Sequence, residues 1–525
     1  MTNPAVDAFS TSPESRLRFA SVPRLAAGAM LGMIGFLVLS YPFRAPEDLA
    51  VTPLFDDGFY ALSVARYMAL GHGITIDGIH PTNGFQPLWV FLLSPIYAFV
   101  GGNRAAALPW VVLFASLIWA AFGIELARLA HDRARSEGVH ARTASAIALI
   151  LALGTVATFR ICHTGMETGL HLLLLTRAVR HLDAPSRQQP IDIACTSVLL
   201  ALLCYARLDA ALFVAAFGAY AAWESLRTRS IVWSRFIPCG VAALALLPWL
   251  LYDLRIDGHL MPTSGRSESV AIDPLLNARA TLLGLCRWLF PVVYRIPYWV
   301  PLATVVNVGL GALGLAVLLR AGRPRPRLGV VNAGTAALYI YVALLVAFYT
   351  LAFGAPHFQE RYLAPAFVAI VPLFASKCAP FLRARPRVAL AAVAFVAIAN
   401  VPLLAIYRFG GFDRGGNTMY SEQTQFALTH VDPACTIGAM QSGTVGYFRD
   451  RVINLDGKVN AGALVALQRK DLRSYVDANG VDVVIDWPPM VRRILGPGAT
   501  GFTRAGSSPA FETWVRQGRE FCIRP

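Results

Sequence analysis

Long apolar runs separated by short, arginine-rich loops occupy the first four-fifths of the chain and end near residue 406. A membrane-spanning helix needs about 20 predominantly apolar residues, or somewhat fewer where polar flanks anchor it. Eleven stretches meet this requirement, at 24–42, 108–127, 143–159, 168–182, 191–206, 209–225, 236–252, 299–319, 330–352, 363–378 and 388–406. The pattern therefore predicts an all-α polytopic membrane module over residues 1–406.

The apolar run from Pro87 to Val100 is short and has Pro95 in its middle. Counting it as a span would reverse every later loop and place the arginine-rich loops outside the cell, against the positive-inside rule. We therefore predict a helix that lies in, or dips into, the outer membrane interface. The first outer loop then covers 41–108, and long loops in compact proteins are usually functional.

Basic residues in the loops set the orientation of the predicted spans. They concentrate at 128–142, 177–187, 227–235, 320–327 and 377–387. With the N-terminus in the cytoplasm, all of these loops lie on the cytoplasmic side, and an odd number of spans places the C-terminal tail outside. The first apolar run is followed by no A-x-A-like cleavage site, so we interpret it as an uncleaved helix. These features predict a multi-pass membrane protein with its N-terminus in the cytoplasm and its C-terminal domain outside.

Residues 407–525 change in character and predict a C-terminal extracytoplasmic α/β domain. Three stretches have the composition of strands and one has helical spacing, namely 434–440, 451–457 and 481–487 for the strands and 461–480 for the helix. Strand–helix–strand order is typical of small α/β domains. Cys435 and Cys522 both lie here and could form a disulfide bond if the tail is outside the cytoplasm.

Composition narrows the range of partners. The chain is 56% hydrophobic and only 15% charged, which is less charge than a soluble protein of this length carries. The formal net charge of +15 lies mostly in the short loops, where the positive-inside rule accounts for it. The sequence contains no basic stripe interleaved with aromatic residues, so we expect no nucleic-acid partner. None of the eight cysteines forms a CxxC pair, which argues against a zinc site.

Asp56 and Asp57 stand where the chain leaves the first predicted span. The following DGFYALSVARYMAL has an amphipathic helical pattern, so Asp56 could serve as the N-cap of this helix. A carboxylate near a helix N-terminus stays ionised and can accept the proton of an attacking hydroxyl group. The pair is therefore a candidate catalytic site, with capping as the alternative. Such a pair could also bind a divalent cation.

Polar residues cluster in the other outer loops as well. The candidate substrate-binding residues among them are Asn83, Gln86, Arg160, His163, Glu167, Asp209, Glu360 and Arg361. Asn83 and Gln86 could bind a sugar through their amides or belong to an ordinary turn, and Asp209 could form an ion pair with Arg207. Arg361 could bind a lipid phosphate or extend to the headgroups. Acids at the membrane boundary tend to be functional, whereas a lone histidine is more often a packed neutral residue.

Five motifs, taken in order, resemble the GT-C superfamily of membrane glycosyltransferases, which use polyprenyl-phosphate sugars. They are DDGFYALSVARYMALGHG (56–73), HTGMETGL (163–170), YARLDAAL (205–212), GHLMPTSG (258–265) and ERYLAPAF (360–367). Within that superfamily the chain is most similar to the mycobacterial terminal arabinofuranosyltransferase branch. The C-terminal tail also looks like an extracytoplasmic domain of that branch.

The resemblance implies an inverting transfer from a polyprenyl-phosphate sugar donor to an envelope glycan, lipid or protein acceptor on the outer face of the membrane. It implies that Asp56 or Asp57 acts as the general base. Glu167 corresponds to the acidic residue of the family's second outer loop, and Arg361 to a basic position near the donor phosphate. Membrane lipids are further expected partners. The resemblance also implies a location in the bacterial inner (plasma) membrane. It makes no cofactor certain, and a divalent cation is possible.

Two alternatives from other classes are a transporter of lipid-linked sugars and a non-catalytic scaffold for envelope assembly. A transporter would need polar residues at mid-membrane and an inverted repeat. The acids of this chain cluster instead at the ends of the predicted spans. The sequence therefore favours the enzyme.

Overall fold

The computed structural model of the protein describes residues 13–184, 189–269, 272–293, 301–320, 332–409 and 417–524. Parts of the predicted basic loops 177–187 and 320–327 lie outside these residues. The first residues of the predicted spans 299–319 and 330–352 lie outside them as well.

The elements of regular secondary structure in the described residues of 13–409 are all helices. The α-helices are α1 Pro13–Leu39, α2 Pro46–Val51, α3 Asp56–Ala69, α4 Pro87–Phe99, α5 Arg104–Ser136, α6 Ala141–Leu153, α7 Val156–His163, α8 Thr168–Asp183, α9 Pro190–Ala206, α10 Ala211–Thr228, α11 Trp233–Asp257, α12 Thr263–Ser267, α13 Pro274–Leu289, α14 Pro301–Arg320, α15 Ala333–Leu351, α16 Gln359–Tyr362, α17 Pro365–Ala384 and α18 Pro386–Phe409. Each predicted span coincides with one or two of them.

Several of these helices have the length and composition of membrane spans. Within the described residues, six are long and apolar enough to cross a membrane, or seven if the bent pair α6 and α7 forms one span. Apolar segments of α4, α9 and α14 are shorter. The chain is thus an integral membrane protein, and the number of eleven spans stays a prediction.

The predicted span 143–159 is broken rather than continuous. Helix α6 ends at Leu153, α7 begins at Val156, and the two are bent by 57°. The side-chain oxygen of Asn400 in α18 accepts a hydrogen bond from the Val156 amide at 2.9 Å. It thereby satisfies a backbone group that has no partner at the start of a helix.

Helix α13 carries two arginines, so apolar length alone does not predict it.

The predicted interfacial helix is α4, with Pro95 inside it. Its Trp89 is buried and donates from Nε1 to the Gly165 carbonyl oxygen at 2.7 Å. This hydrogen bond fixes α4 to the turn between α7 and α8.

The C-terminal region, 417–524, contains one mixed sheet. Its elements are α19 Asn417–Thr429, β1 Ile437–Ala439, α20 Gly443–Phe448, β2 Val452–Asn454, α21 Ala461–Gln468, α22 Leu472–Ala478, β3 Val483–Asp486, α23 Pro488–Leu495, β4 Phe502–Ser507 and β5 Glu512–Arg516. The strand order is β2-β1-β3-β5-β4, with β1, β2 and β3 parallel and β5 antiparallel to both β3 and β4. Two apolar clusters pack in this region. The predicted fold class, a helical membrane module followed by an α/β unit, is confirmed.

The three predicted strands are present, whereas the predicted helix 461–480 is two helices. The chain turns between α21 and α22 at Lys470, whose φ is +57°. The β4–β5 hairpin is not predicted by the apolar pattern, because most residues of β4 are exposed or half-buried. The carboxyl ends of the parallel strands lie next to α3, where the Tyr60 hydroxyl donates to Asp456, two residues after β2, at 3.2 Å. Carboxyl ends of parallel strands are common places for sites in α/β folds.

Cys435 and Cys522 form a disulfide bond, as the sequence allows. The two residues are 87 positions apart and both are buried. The bond therefore ties the segment before β1 to the end of the chain.

Replacing both cysteines by serine should lower the free energy of unfolding of the C-terminal region by about 2–4 kcal/mol, because the cross-link restricts the unfolded chain. Thermal melting in detergent, with and without a reducing agent, measures this change. Cys195→Ser, at an exposed cysteine of α9, is the matched control and should melt like the wild type. Two results together would contradict a stabilising role for the bond. The wild type would have the same melting temperature with and without the reducing agent, and the double variant would melt at the wild-type temperature.

Candidate active site

Close backbone packing fixes the start of α3, where the acidic pair stands. The Phe55 amide donates to the Thr164 carbonyl oxygen at 3.1 Å. A Cβ atom at Gly58 would lie 2.2 Å from the same oxygen, so a side chain at this position would force the backbone to shift. The first turn of α3 is therefore held directly against the turn between α7 and α8.

Asp56 connects α3 to the C-terminal region. The side chain is 2% exposed. Its Oδ1 atom accepts hydrogen bonds from the Thr444 amide at 2.6 Å and the Thr444 hydroxyl at 2.7 Å, and its Oδ2 atom accepts one from the Gly443 amide at 3.3 Å. Asp56 makes no capping hydrogen bond to its own helix, which was the alternative that the sequence allowed. It binds the start of α20 instead.

Burial raises the pKa of Asp56 to about 6, and the hydrogen bonds from Thr444 and Gly443 offset only part of this effect. The pKa in the folded state is therefore higher than in the unfolded state. Folding favours the protonated carboxyl group, so the stability that this group contributes falls as the pH rises from about 4 to about 6.

Asp56→Asn should consequently gain stability relative to the wild type as the pH rises, by on the order of 2–3 kcal/mol between pH 4 and pH 7. Asparagine cannot ionise, so the variant does not carry the cost of burying a charge. Thermal melts of both proteins at the two pH values give the comparison. A stability gap that does not change, or that moves in favour of the wild type with rising pH, would contradict this prediction.

Asp57 faces a cavity of about 570 Å³ between the helical bundle and the C-terminal region. The charged residues that line it are Asp57, Glu167, Arg207, Asp209, Glu268, Arg361 and Lys458. Another part of the lining is apolar and comes mainly from α10, α11 and α15, namely Leu212, Leu246, Leu250 and Phe348. A cavity with these two kinds of lining suits an amphiphilic molecule with a charged head group.

Lys458 extends from the turn after β2 into this cavity. Its Nζ atom lies 3.4 Å from an oxygen of Asp57 and 3.1 Å from an oxygen of Glu268. Burial lowers the pKa of the ammonium group, but Asp57, Glu268 and Asp456 together raise it well above its usual value. Lys458 is therefore a charged link between two carboxylates that come from different parts of the chain.

Arg361 lines the cavity and forms no ion pair with a described residue. Its guanidinium group contacts the sulfur of Met166 and donates to the Tyr362 hydroxyl at 3.2 Å. Its Nε atom is buried without a hydrogen-bond partner. Among the described residues no carboxylate lies within ion-pair distance of this guanidinium, so it is suited to bind an anion such as a phosphate.

Arg207 and Asp209 form a buried ion pair under the same cavity. The Nε atom of Arg207 donates to Asp209 at 3.1 Å, and the Tyr349 hydroxyl donates to Asp209 at 2.7 Å. Arg207 is 3% exposed, and one of its terminal nitrogens has no hydrogen-bond partner. The ion pair with Arg207 that the sequence allowed for Asp209 is therefore present, and both residues also line the cavity.

The structure brings half of the predicted site residues together. Those that line the cavity are Asp57, Gln86, Glu167, Asp209 and Arg361. Within the described part of the chain, the remaining five lie elsewhere, namely Asp56, Asn83, Arg160, His163 and Glu360. Asn83 is fully buried and accepts hydrogen bonds from Thr263. His163 is 1% exposed and lies 3.1 Å from the Ser116 hydroxyl, in the packed core.

The two remaining residues contact other helices. Arg160 donates to the Tyr407 hydroxyl of α18 at 3.0 Å. Glu360 forms an ion pair with Arg287 of α13 at 2.7 Å. Neither residue lines the cavity, so a direct role in binding substrate stays a prediction for both.

Sequence reasoning missed Lys458 and Glu268. The signal for Lys458 was the segment NLDGK, which places polar residues at the end of a buried strand. The signal for Glu268 was a loop rich in hydroxyl groups between two predicted spans. Neither signal indicates that the Lys458 ammonium group contacts both Glu268 and Asp57.

One group of three potential metal ligands occurs among the described residues, and it lies away from the cavity. Its members are Cys435, Asp482 and Cys522. Both cysteines are joined in the disulfide bond, so this group is not a metal site.

No family model matches this chain, and no curated protein matches its sequence. Among solved structures, ArnT from Cupriavidus metallidurans in the apo state is similar, with a TM-score of 0.54 and 13% sequence identity over 95% of this chain and 97% of ArnT. The Archaeoglobus fulgidus oligosaccharyltransferase, in complex with Zn and sulfate, matches with a TM-score of 0.44 and 11% identity over 93% of this chain and 73% of that one. The likeness to ArnT extends over nearly the whole of both chains, so the protein has the fold of ArnT.

Proposed function

We propose that this protein is a GT-C glycosyltransferase that moves a sugar from a polyprenyl-phosphate donor to a hydroxyl group of an envelope glycan, lipid or protein. One observation carries the proposal. A single cavity is lined by the carboxylate of Asp57, by an apolar surface and by Arg361, which forms no ion pair with a described carboxylate. The likeness to ArnT over 95% of the chain supports the same class of enzyme.

The donor has a charged phosphate, a sugar and a long apolar chain, and the cavity offers a place for each. The guanidinium group of Arg361 binds phosphate oxygens in its planar fork. Leu246 and Leu250 of α11 belong to the apolar lining, against which the prenyl chain packs. Gln86 and Glu167 line the same cavity and can donate to or accept from sugar hydroxyls.

The proposed reaction is a direct displacement at the anomeric carbon. The acceptor oxygen forms a bond to that carbon while the bond from the carbon to the phosphate oxygen breaks. The hydroxyl proton moves to Asp57, and polyprenyl phosphate leaves with the electron pair of the broken bond. Arg361 stabilises the negative charge that builds on this leaving group. Attack from the face opposite the phosphate inverts the configuration.

We place the reaction at the extracytoplasmic face of the bacterial inner membrane. Disulfide bonds persist in oxidising compartments, and the Cys435–Cys522 bond lies in the region that supplies Lys458 to the cavity. The basic loops of the sequence support the same orientation, with the N-terminus in the cytoplasm.

The direct test supplies purified protein in lipid nanodiscs with decaprenyl-phosphoryl arabinofuranose, because the motifs resemble arabinofuranosyltransferases. Decaprenyl-phosphoryl mannose is the second donor probe, and an envelope lipid extract is the acceptor source. Mass spectrometry should detect free decaprenyl phosphate and a product that is one sugar heavier. Cells that lack the gene should accumulate the lipid-linked donor and carry a shortened glycan. Unchanged glycans in those cells, or movement of intact donor across vesicles without release of decaprenyl phosphate, would contradict the proposal.

Arg361→Gln should raise the KM for the donor roughly 10- to 100-fold, because a hydrogen bond to a charged group contributes about 1.5–3 kcal/mol. Arg160→Gln is the matched control, since Arg160 contacts Tyr407 and does not line the cavity. A large effect of the Arg160 substitution without one for Arg361 would place the phosphate elsewhere.

A further inference from the structure

Lys458 joins the two parts of the protein at the proposed base. It comes from the C-terminal region, whereas Asp57 stands at the start of α3, 401 positions earlier in the chain. Glu268 follows α12 and contacts the same ammonium group. The side chain also passes over the ring of Phe358, at 5.1 Å from its centroid. Three separate segments thus converge on one cation.

The turn that carries Lys458 is held in place by loops of the helical bundle. The hydroxyl of Thr263 donates to the Lys458 carbonyl oxygen at 2.8 Å. A Cβ atom at Gly84 would lie 1.9 Å from that oxygen, so only glycine lets the turn approach. Within the turn, the side chain of Asp456 accepts a hydrogen bond from the Lys458 amide at 2.8 Å. The position of the ammonium group therefore depends on how the C-terminal region docks onto the bundle.

We propose that Lys458 is a positioning residue for Asp57, and that docking of the C-terminal region completes the active site. The ammonium group holds the Asp57 carboxylate in the cavity and separates its charge from that of Glu268. Without it, two carboxylates would face each other, and the more favourable state would keep a proton on one of them. That proton would block Asp57 from accepting another one from the acceptor hydroxyl.

This inference rests on the proposed function and adds one requirement to it, namely that Lys458 keeps Asp57 able to accept a proton. Arg361 acts on the donor phosphate, so its loss affects the KM for the donor. Lys458 acts through the base, so its loss lowers kcat and changes the pH dependence. The other titratable or charged groups whose charges act on Asp57 or Lys458 are Asp56, Tyr60, His357, Arg361, Tyr362, Tyr420 and Asp456. All of them are unchanged in the variants below, so a difference between those variants reports on Lys458 and Glu268.

The experiment compares Lys458→Met, Glu268→Gln and the double variant with the wild type. In Lys458→Met, the acidic limb of the pH profile of kcat/KM should move up by about 1–3 pH units, because the opposite charge that favours the ionised carboxylate is removed. Adding Glu268→Gln should move the limb back, since it removes the like charge. Lys458→Arg should retain most of the wild-type profile. Lys470→Met, at an exposed lysine of the same region, is the matched control.

A second readout does not need sugar transfer. The melting temperature of Lys458→Met should fall further below that of the wild type at pH 8 than at pH 5, because a higher pH favours two like charges that no cation then separates. Glu268→Gln in the same chain should recover most of that loss. If the wild type transfers no sugar, the proposed function fails and these melts alone decide whether Lys458 keeps the two carboxylates apart.

Two results would overturn the inference. One is a pH profile in Lys458→Met that keeps its acidic limb while kcat falls. The other is a loss of melting temperature that is equal at both pH values and is not recovered by Glu268→Gln. If Lys458→Met does not fold, Glu268→Gln alone should still shift the acidic limb of the pH profile to lower pH. An acidic limb at the wild-type position in Glu268→Gln would then contradict the proposal.

Discussion

An Asp57→Asn variant should transfer sugar about 10²- to 10⁴-fold more slowly than the wild type, because it lacks the group that accepts the acceptor's proton. Asparagine has nearly the same shape as aspartate, and Lys458 keeps Glu268 as an ion-pair partner. The variant should therefore fold normally. Single-turnover release of polyprenyl phosphate measures the rate of the chemical step.

The matched control is Asp56→Asn, one residue earlier. The carboxylate of Asp56 binds the amides of Gly443 and Thr444 and does not line the cavity. We expect this variant to transfer sugar at a rate close to the wild type, while its stability relative to the wild type rises with pH. Normal transfer by Asp57→Asn, with transfer lost in Asp56→Asn, would reverse the assignment of the base.

Arg207→Met should lower the free energy of unfolding by about 3–5 kcal/mol, because it leaves the Asp209 carboxylate in the protein interior without its cation. The Tyr349 hydroxyl would be the one remaining partner that the described residues provide for this carboxylate. Thermal or denaturant unfolding in detergent gives the magnitude.

The double variant Arg207→Met, Asp209→Leu separates the cost of an unpaired charge from the loss of packing. It should recover most of the stability, since an apolar pair of similar volume can replace a buried ion pair. A double variant less stable than Arg207→Met would contradict this account. Donor binding can still fall in the double variant, because both residues line the cavity.

These predictions assign distinct roles to charges that lie close together in one cavity. Asp57 affects the chemical step, Arg361 the binding of the donor and the Arg207–Asp209 pair the stability of the cavity. Lys458 links the chemical step to the docking of the C-terminal region. Measuring kcat, KM and melting temperature for one set of variants therefore tests the whole arrangement.

Local patterns predicted most of the fold. Apolar length identified a helix at each predicted span, and buried strands were identified at 434–440, 451–457 and 481–487. The pattern failed where tertiary contacts decide. Asn400 stabilises a break inside 143–159, and the mostly exposed β4 joins the sheet through its partner β5.

The sequence by itself determined a helical membrane protein with acids at the ends of its spans, because hydrophobicity acts on continuous segments and is visible in one dimension. The tertiary structure alone decided which acid of the pair faces the cavity. Neighbouring residues of an α-helix point about 100° apart, so Asp56 meets α20 while Asp57 meets the cavity. The tertiary structure alone also decided that Lys458 contacts Asp57, 401 positions away. Such a contact depends on how distant segments pack, and it leaves no periodic pattern in either segment.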